Sequence, residues 1–228
     1  MTECNAVAVE FSSLGRKKMI ADFAGGDLTS DGGLPLLREV DRRIGLIDAL
    51  DDAIADPRCP FLIEHDQRTL LAQRIFALAA GYEDLSDHQT LRNDTLLTAL
   101  TDRRLKVGQA QTDPLGSPPT LCRLENHITR RDLVGIAKVL VEQFIASHET
   151  PPAELVLDFD ATDDPVHGRQ EGRFFHGYYD EYCFLPLYVF CGDQLLVAYL
   201  RPADRDAATH ARAAVSYTHL TLPTIYSV

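Results

Sequence analysis

Apolar residues in the first 150 positions recur at helical spacing. Leu36, Leu37, Val40 and Ile44 mark one stripe, preceded by the cap residues Ser30-Asp31-Gly32-Gly33, with Pro35 near a first-turn position and Gly45 ending the run. Leu70, Leu71, Ile75, Leu78 and Ala79 form a clearer stripe over residues 66–80, and Gly81 is placed as its C-terminal stop. Residues 109–119, rich in Pro, Gly and Ser, read as a loop. Thr120 is placed to cap a short helix through Asn126. Thr129-Arg130-Arg131-Asp132 has the spacing of a capping box, with Asp in place of the usual Glu. Leu133, Ile136, Ala137, Leu140, Phe144 and Ile145 continue from it as a long amphipathic helix.

The period changes after Pro151-Pro152. Residues 155–160 form a short apolar run with acids near its end, which suits a strand emerging at a site. A polar, Gly-containing stretch to Tyr179 reads as a loop. Residues 182–191 predict a second strand, Gly192-Asp193-Gln194 a turn, and residues 195–200 a third strand. So short a connection makes the last two an antiparallel hairpin, since a parallel crossover needs a dozen or more residues. Residues 204–214 read as a helix. The pattern predicts an α+β chain: a helical region over 1–150, then strands and a helix over 151–214.

Composition adds limits. The 228 residues are 45% hydrophobic and 25% charged, which is globular rather than disordered. No run of 18 apolar residues is available for a membrane span, and Met1 to Glu10 lacks the features of a signal peptide. The five cysteines, Cys4, Cys59, Cys122, Cys183 and Cys191, form no CxxC pair, which fits a reducing cytosol. The net charge of −12 is unevenly spread. Residues 151–214 hold 11 acidic and 5 basic side chains, whereas Arg103 to Lys138 reverses the sign and residues 215–228 hold no charge.

The chemistry concentrates in Asp158-Phe159-Asp160-Ala161-Thr162-Asp163-Asp164. Four carboxylates so close repel one another unless a cation lies between them, and oxygen donors favour Mg²⁺ or Mn²⁺. On a strand, Asp158 and Asp160 share a face. The bland alternative is a set of exposed cap and turn carboxylates. A calcium loop starting at Asp158 fails, because Asp163 and Arg169 stand where Gly and Glu are needed. A haloacid-dehalogenase phosphatase motif fits Asp158 to Thr162, with Asp158 as nucleophile and Asp160 as acid/base, but that fold continues into parallel strands. A ribonuclease-H-like fold, with three antiparallel strands and a metal-binding Asp on the first, suits the strand order better. His167 and His176 read as surface or hydrogen-bonding groups, Asp84, Asp87 and His88 as capping residues. Tyr178 and Tyr179 either offer rings for stacking or cover the sheet.

Several segments together resemble a DDE-type transposase of bacterial insertion sequences, most similar to insertion-sequence family thirteen-eighty. They are residues 28–34 with Leu36-Leu37, residues 80–85 with 91–94, residues 119–121 with 123–126, residues 157–168, Gly177-Tyr178-Tyr179, Leu185-Pro186-Leu187 and Leu200-Arg201-Pro202. The resemblance implies metal-dependent DNA strand cleavage and transfer, with Asp160 as the first catalytic carboxylate and metal ligand; Asp158, on the same strand face, is a further candidate ligand. The family's second Asp and its Glu have no counterparts here and are expected beyond this chain. The resemblance implies two Mg²⁺ (or Mn²⁺) ions in a full-length enzyme, a homodimer binding terminal inverted repeats and target DNA, and a bacterial cytoplasmic, nucleoid-associated location. The DNA contacts are expected in the basic stretch: Arg103, Arg104, Lys106, Arg123, Arg130 and Arg131. Residues 215–228 depart from the family. Val215 to Leu220 match one frame of a sequencing adapter, GTC TCT TAT ACA CAT CTG, so they are expected to be translated adapter, and the chain an inactive fragment. The other readings are the Mg²⁺ phosphatase and a catalytically dead DNA-binding remnant.

Overall fold

The computed structural model describes residues 9–14, 17–21, 29–101 and 114–221. Two strands open the chain, β1 (Val9–Leu14) and β2 (Lys17–Ala21), paired antiparallel. The helical reading of this region missed them. Among the described residues seven helices follow: α1 (Leu34–Ile44), α2 (Leu46–Ala53), α3 (Gln67–Ala79), α4 (His88–Leu91), α5 (Thr95–Leu100), α6 (Pro118–Asn126) and α7 (Arg130–Ala146). Short 3₁₀ turns lie at Pro60–Leu62 and Leu85–Asp87.

Polar side chains start three of these helices, α3, α5 and α7, by taking backbone N–H groups that have no partner within the helix. Asp66 accepts from Thr69 N at 2.6 Å ahead of α3, and Asp94 from Leu97 N at 2.6 Å ahead of α5. Thr129 and Asp132 form the expected reciprocal capping box at α7. Helix α6 starts at Pro118, with Ser117 rather than Thr120 in the N-cap position and no side-chain cap hydrogen bond, because a first-turn proline needs no N–H partner. Gly45 adopts φ +65°, a left-handed conformation that ends α1 and lets α2 begin at once.

The helical core gathers Leu34, Ile47, Phe76, Leu97, Leu100 and Leu115, with Leu70, Leu121 and Leu124 beside it. The α1 stripe does not join it: Leu36, Leu37, Val40 and Ile44 are exposed and only Leu34 of that helix is buried. Helix α7 touches both halves of the chain. Gly135 meets Ala53 on α2, while Phe144 is buried against the sheet that follows.

That sheet is β3 (Leu157–Ala161), β7 (Leu187–Cys191) and β8 (Gln194–Tyr199), all antiparallel, in the order β3-β7-β8. Its inner face, including Leu187, Val189 and Val197, packs on Phe144 and Ala214. The stretch between β3 and β7 is not a plain loop. It holds β4 (Asp164–Pro165), β5 (Phe174–His176) and β6 (Glu181–Phe184), a second antiparallel sheet in the order β4-β6-β5. The single strand expected over 182–191 is therefore two strands, broken at Leu185-Pro186. There Leu185 N donates to Arg201 O at 2.8 Å, and Pro186 has no N–H for a ladder.

Arg201 explains the second shift. It is 1% exposed, and its Nε donates to Leu185 O at 2.8 Å. Its Nη1 donates to the carbonyls of Ala207 and Thr209. Holding these carbonyls in a loop delays the last helix, which was expected over 204–214. Helix α8 runs Ala211–Thr221, continuous across position 214.

Candidate functional site

The period of two along β3 fixes the site. Leu157, Phe159 and Ala161 pack with the inner face, so Asp158 and Asp160 stand exposed on the outer one. Across the ladder Asp158 faces Phe190 and Asp160 faces Tyr188, both half-buried. The two carboxylates and two aromatic rings thus share one open sheet face. Asp158 and Asp160 make no ion pair among the described residues.

Beyond the end of β3 lies a second acidic pair. The Asp163 side chain beside it holds the Glu181 carboxyl above its usual range, with burial adding to the shift. Tyr179 sits over the same strand end, its hydroxyl donating to Ala161 O at 3.5 Å. Burial, and then the charge of Asp163, raises its pKa; Asp160 adds a smaller push. His176 stacks on Tyr179 with ring centroids 4.9 Å apart, and His167 is exposed.

Asp160 and Asp158 are oxygen donors with no competing cation, which suits a hard metal. Among the described residues, however, no group of three or more His, Cys, Asp or Glu side chains is placed to hold one. The phosphatase alternative loses its support. Only strands lie between β3 and β7, and β3 pairs antiparallel, whereas that reading needed parallel strands.

The basic residues lie elsewhere. Arg130 and Arg131 occupy the exposed first turn of α7 and form no ion pair among the described residues. Thirteen residues of helix separate Arg131 from Phe144 at the sheet, about 20 Å at the usual helical rise. Arg123, exposed near the end of α6, lines an open groove of about 560 Å³ with Arg58, Glu64, His65 and His127. Sequence reasoning missed Arg58. Asp56 clasps it at 2.8 and 2.6 Å, which raises the pKa of the guanidinium and lowers that of the carboxyl. The Asp-x-Arg spacing was the available signal. Arg103, Arg104 and Lys106 lie outside the described residues. Asp84 caps a turn, accepting from Ser86 N at 2.8 Å, and His88 is buried against Gln73, so neither points to a ligand. Cys59, Cys122, Cys183 and Cys191 are free thiols.

The sequence profile of a family described as Transposase DDE domain group 1 matches residues 11–220. The chain belongs to that family of DDE-type transposases. The match ends six residues past position 214. No curated protein and no solved structure matches the chain. Among the described residues no helix is long and apolar enough to cross a membrane.

Proposed function

We propose that this chain supplies the first catalytic carboxylate and a DNA-binding surface of an insertion-sequence transposase of family thirteen-eighty. The observation that carries the reading is the position of Asp160: exposed, near the end of β3, on an open sheet face, in a chain of the DDE family. Asp160 is the catalytic residue in this reading, and Asp158 a neighbouring ligand. The strands β3, β7 and β8 correspond to the opening antiparallel strands of a ribonuclease-H-like domain over 151–214, with 1–150 as the DNA-end-binding region. Two further carboxylates, an Asp and a Glu, are needed to complete the site, and the resemblance puts them beyond residue 214. The completed site takes divalent ions, Mg²⁺ or Mn²⁺, which would supply the positive charge that binds a scissile phosphate.

DNA affinity comes from Arg130, Arg131 and Arg123, joined by Arg103, Arg104 and Lys106, because neutralising phosphates dominates such binding. Terminal inverted repeats and target DNA are the partners, a homodimer the working form and the bacterial cytoplasm and nucleoid the location. Residues 215–228 are proposed to be translated adapter. Codons unrelated to GTC TCT TAT ACA CAT CTG at positions 215–220 would refute that part.

The test joins these residues to the two remaining carboxylates and measures strand cleavage of element-end DNA. Asp160→Asn is expected to lower cleavage about a hundred-fold or more while DNA affinity holds, as for a group worth several kcal/mol in the transition state. Cleavage at the unsubstituted rate would reject Asp160 as the catalytic carboxylate. DNA binding with no cleavage by the unsubstituted protein would favour a binding remnant instead.

A further inference from the structure

The β5–β6 hairpin has an unusual composition for a strand pair. From Gly172 to Tyr182 it contains Phe174, Phe175, His176, Tyr178, Tyr179 and Tyr182, and no Val, Leu, Ile, Met or Ala. Strand pairs that pack into a core normally mix aromatic with branched aliphatic side chains. Here three of the rings stay in solvent: Tyr178 is 85% exposed, Phe175 51% and Tyr182 50%, while Tyr179 packs against Cys183 and Leu185.

Both faces of the hairpin are dressed. On one, Phe175 and Tyr182 are register partners with ring centroids 5.6 Å apart, and the Arg173 guanidinium lies 4.5 Å from the Tyr182 ring centre. Among the described residues Arg173 makes no ion pair, so its charge rests on the ring. On the other, His176 stacks on Tyr179, and Tyr178 meets Tyr179 edge-on at 5.0 Å. The tip is a tight turn in which Asp180 N donates to His176 O at 2.9 Å and Asp180 takes φ +58°, a conformation Asp tolerates. Tyr179 ties this tip to the carbonyl of Ala161, the residue after Asp160.

From this juxtaposition we infer that the β5–β6 hairpin is a stacking finger for unpaired DNA bases next to the phosphate at Asp160. The inference rests on the transposase reading given above and adds the partner's form: a single strand rather than a duplex. Exposed ring faces with a stacked guanidinium are what sequence-tolerant single-strand binding uses. A core-like protein interface would bring aliphatic side chains, and this hairpin has none. The local charge is acidic: Asp163, Asp164, Glu171, Asp180 and Glu181 outnumber Arg169 and Arg173, so the strand's phosphates are directed away from the hairpin and only its bases meet the ring faces. Tyr178 leads the contact because it is the most exposed ring and sits beside the strand end.

The experiment uses the whole 228-residue chain. Labelled oligothymidylate and a duplex of equal length are titrated in parallel and followed by fluorescence anisotropy. Tyr178→Ala is expected to weaken single-strand binding about 5- to 150-fold, the range for one stacked base. Tyr178→Trp restores it, which a merely structural tyrosine would not require, and duplex affinity stays unchanged in both. Oligothymidylate binding that is absent, or equal in wild type and Tyr178→Ala, overturns the inference. So does self-association of the chain abolished by the same substitution, which would make the hairpin a dimer contact. Failure of the transposase reading shows separately, as loss of duplex binding in the unsubstituted chain.

Discussion

Asp160 on β3 lies directly across the antiparallel ladder from Tyr188 on β7, one residue before β3 ends. Both side chains are on the face turned away from Phe144, so the carboxylate is held in place by strand register and carries none of the core. Asp160→Asn should therefore change stability by no more than about 0.5 kcal/mol. Leu187→Ala, one residue away but on the inner face and 2% exposed, should cost about 2–5 kcal/mol. Urea unfolding of both variants checks the contrast, and similar losses would mean that Asp160 is structural.

Helices α2 and α7 approach closely because residue 135 has no side chain. A Cβ there would stand 2.9 Å from the Ala53 carbonyl oxygen and 3.3 Å from its Cβ. Gly135→Ala should thus destabilise by about 1–3 kcal/mol through overpacking, outweighing the roughly 1 kcal/mol that alanine gains in helix propensity. A raised melting temperature would show that the two helices separate freely.

His88 predicts a pH dependence. It is fully buried, its Nδ1 pairs with Gln73 Nε2 at 3.0 Å, and its Nε2 has no partner among the described residues. Gln73 in turn clasps Gly116 through two bonds of 2.9 Å. Burial, helped by the Arg74 charge and opposed by Asp87 and Glu125, holds its pKa below the ordinary value. The unfolded chain binds the proton near pH 6.5 and the folded chain only lower. This contribution is full above about pH 6.5 and is lost as the pH falls toward the folded pKa. Urea midpoints measured on either side of that value should show the decline, and His88→Gln should flatten it. An unchanged decline in the variant would assign it to other groups.

Local signals in the sequence were strong where one segment decides the outcome. Thr129 and Asp132 spell out the start of α7, Gly45 ends α1, and alternation along β3 already placed Asp158 and Asp160 together. Signals failed where distant residues decide. The α1 stripe predicts the helix but not its exposure, because nothing in the spacing says which neighbours exist to cover Leu36 or Val40. The break at Leu185-Pro186 depends on Arg201, sixteen residues onward, and the same arginine delays α8. The Gly-containing stretch after β3 hid two short strands because its exposed rings give no alternation between core and solvent. The groove that joins Arg58 to Arg123 is built across α3 and α6 and has no local pattern at all.

The central claim is that these residues engage DNA through the basic start of α7. The direct measurement is the salt dependence of duplex binding by the 228-residue chain and by the double variant Arg130→Ala/Arg131→Ala, from about 50 to about 200 mM salt. The account predicts weaker binding in the variant and a slope of log K against log salt shallower by about 1.8, for two phosphates at roughly 0.9 each. An unchanged slope, or no duplex binding by the unsubstituted chain, would contradict it.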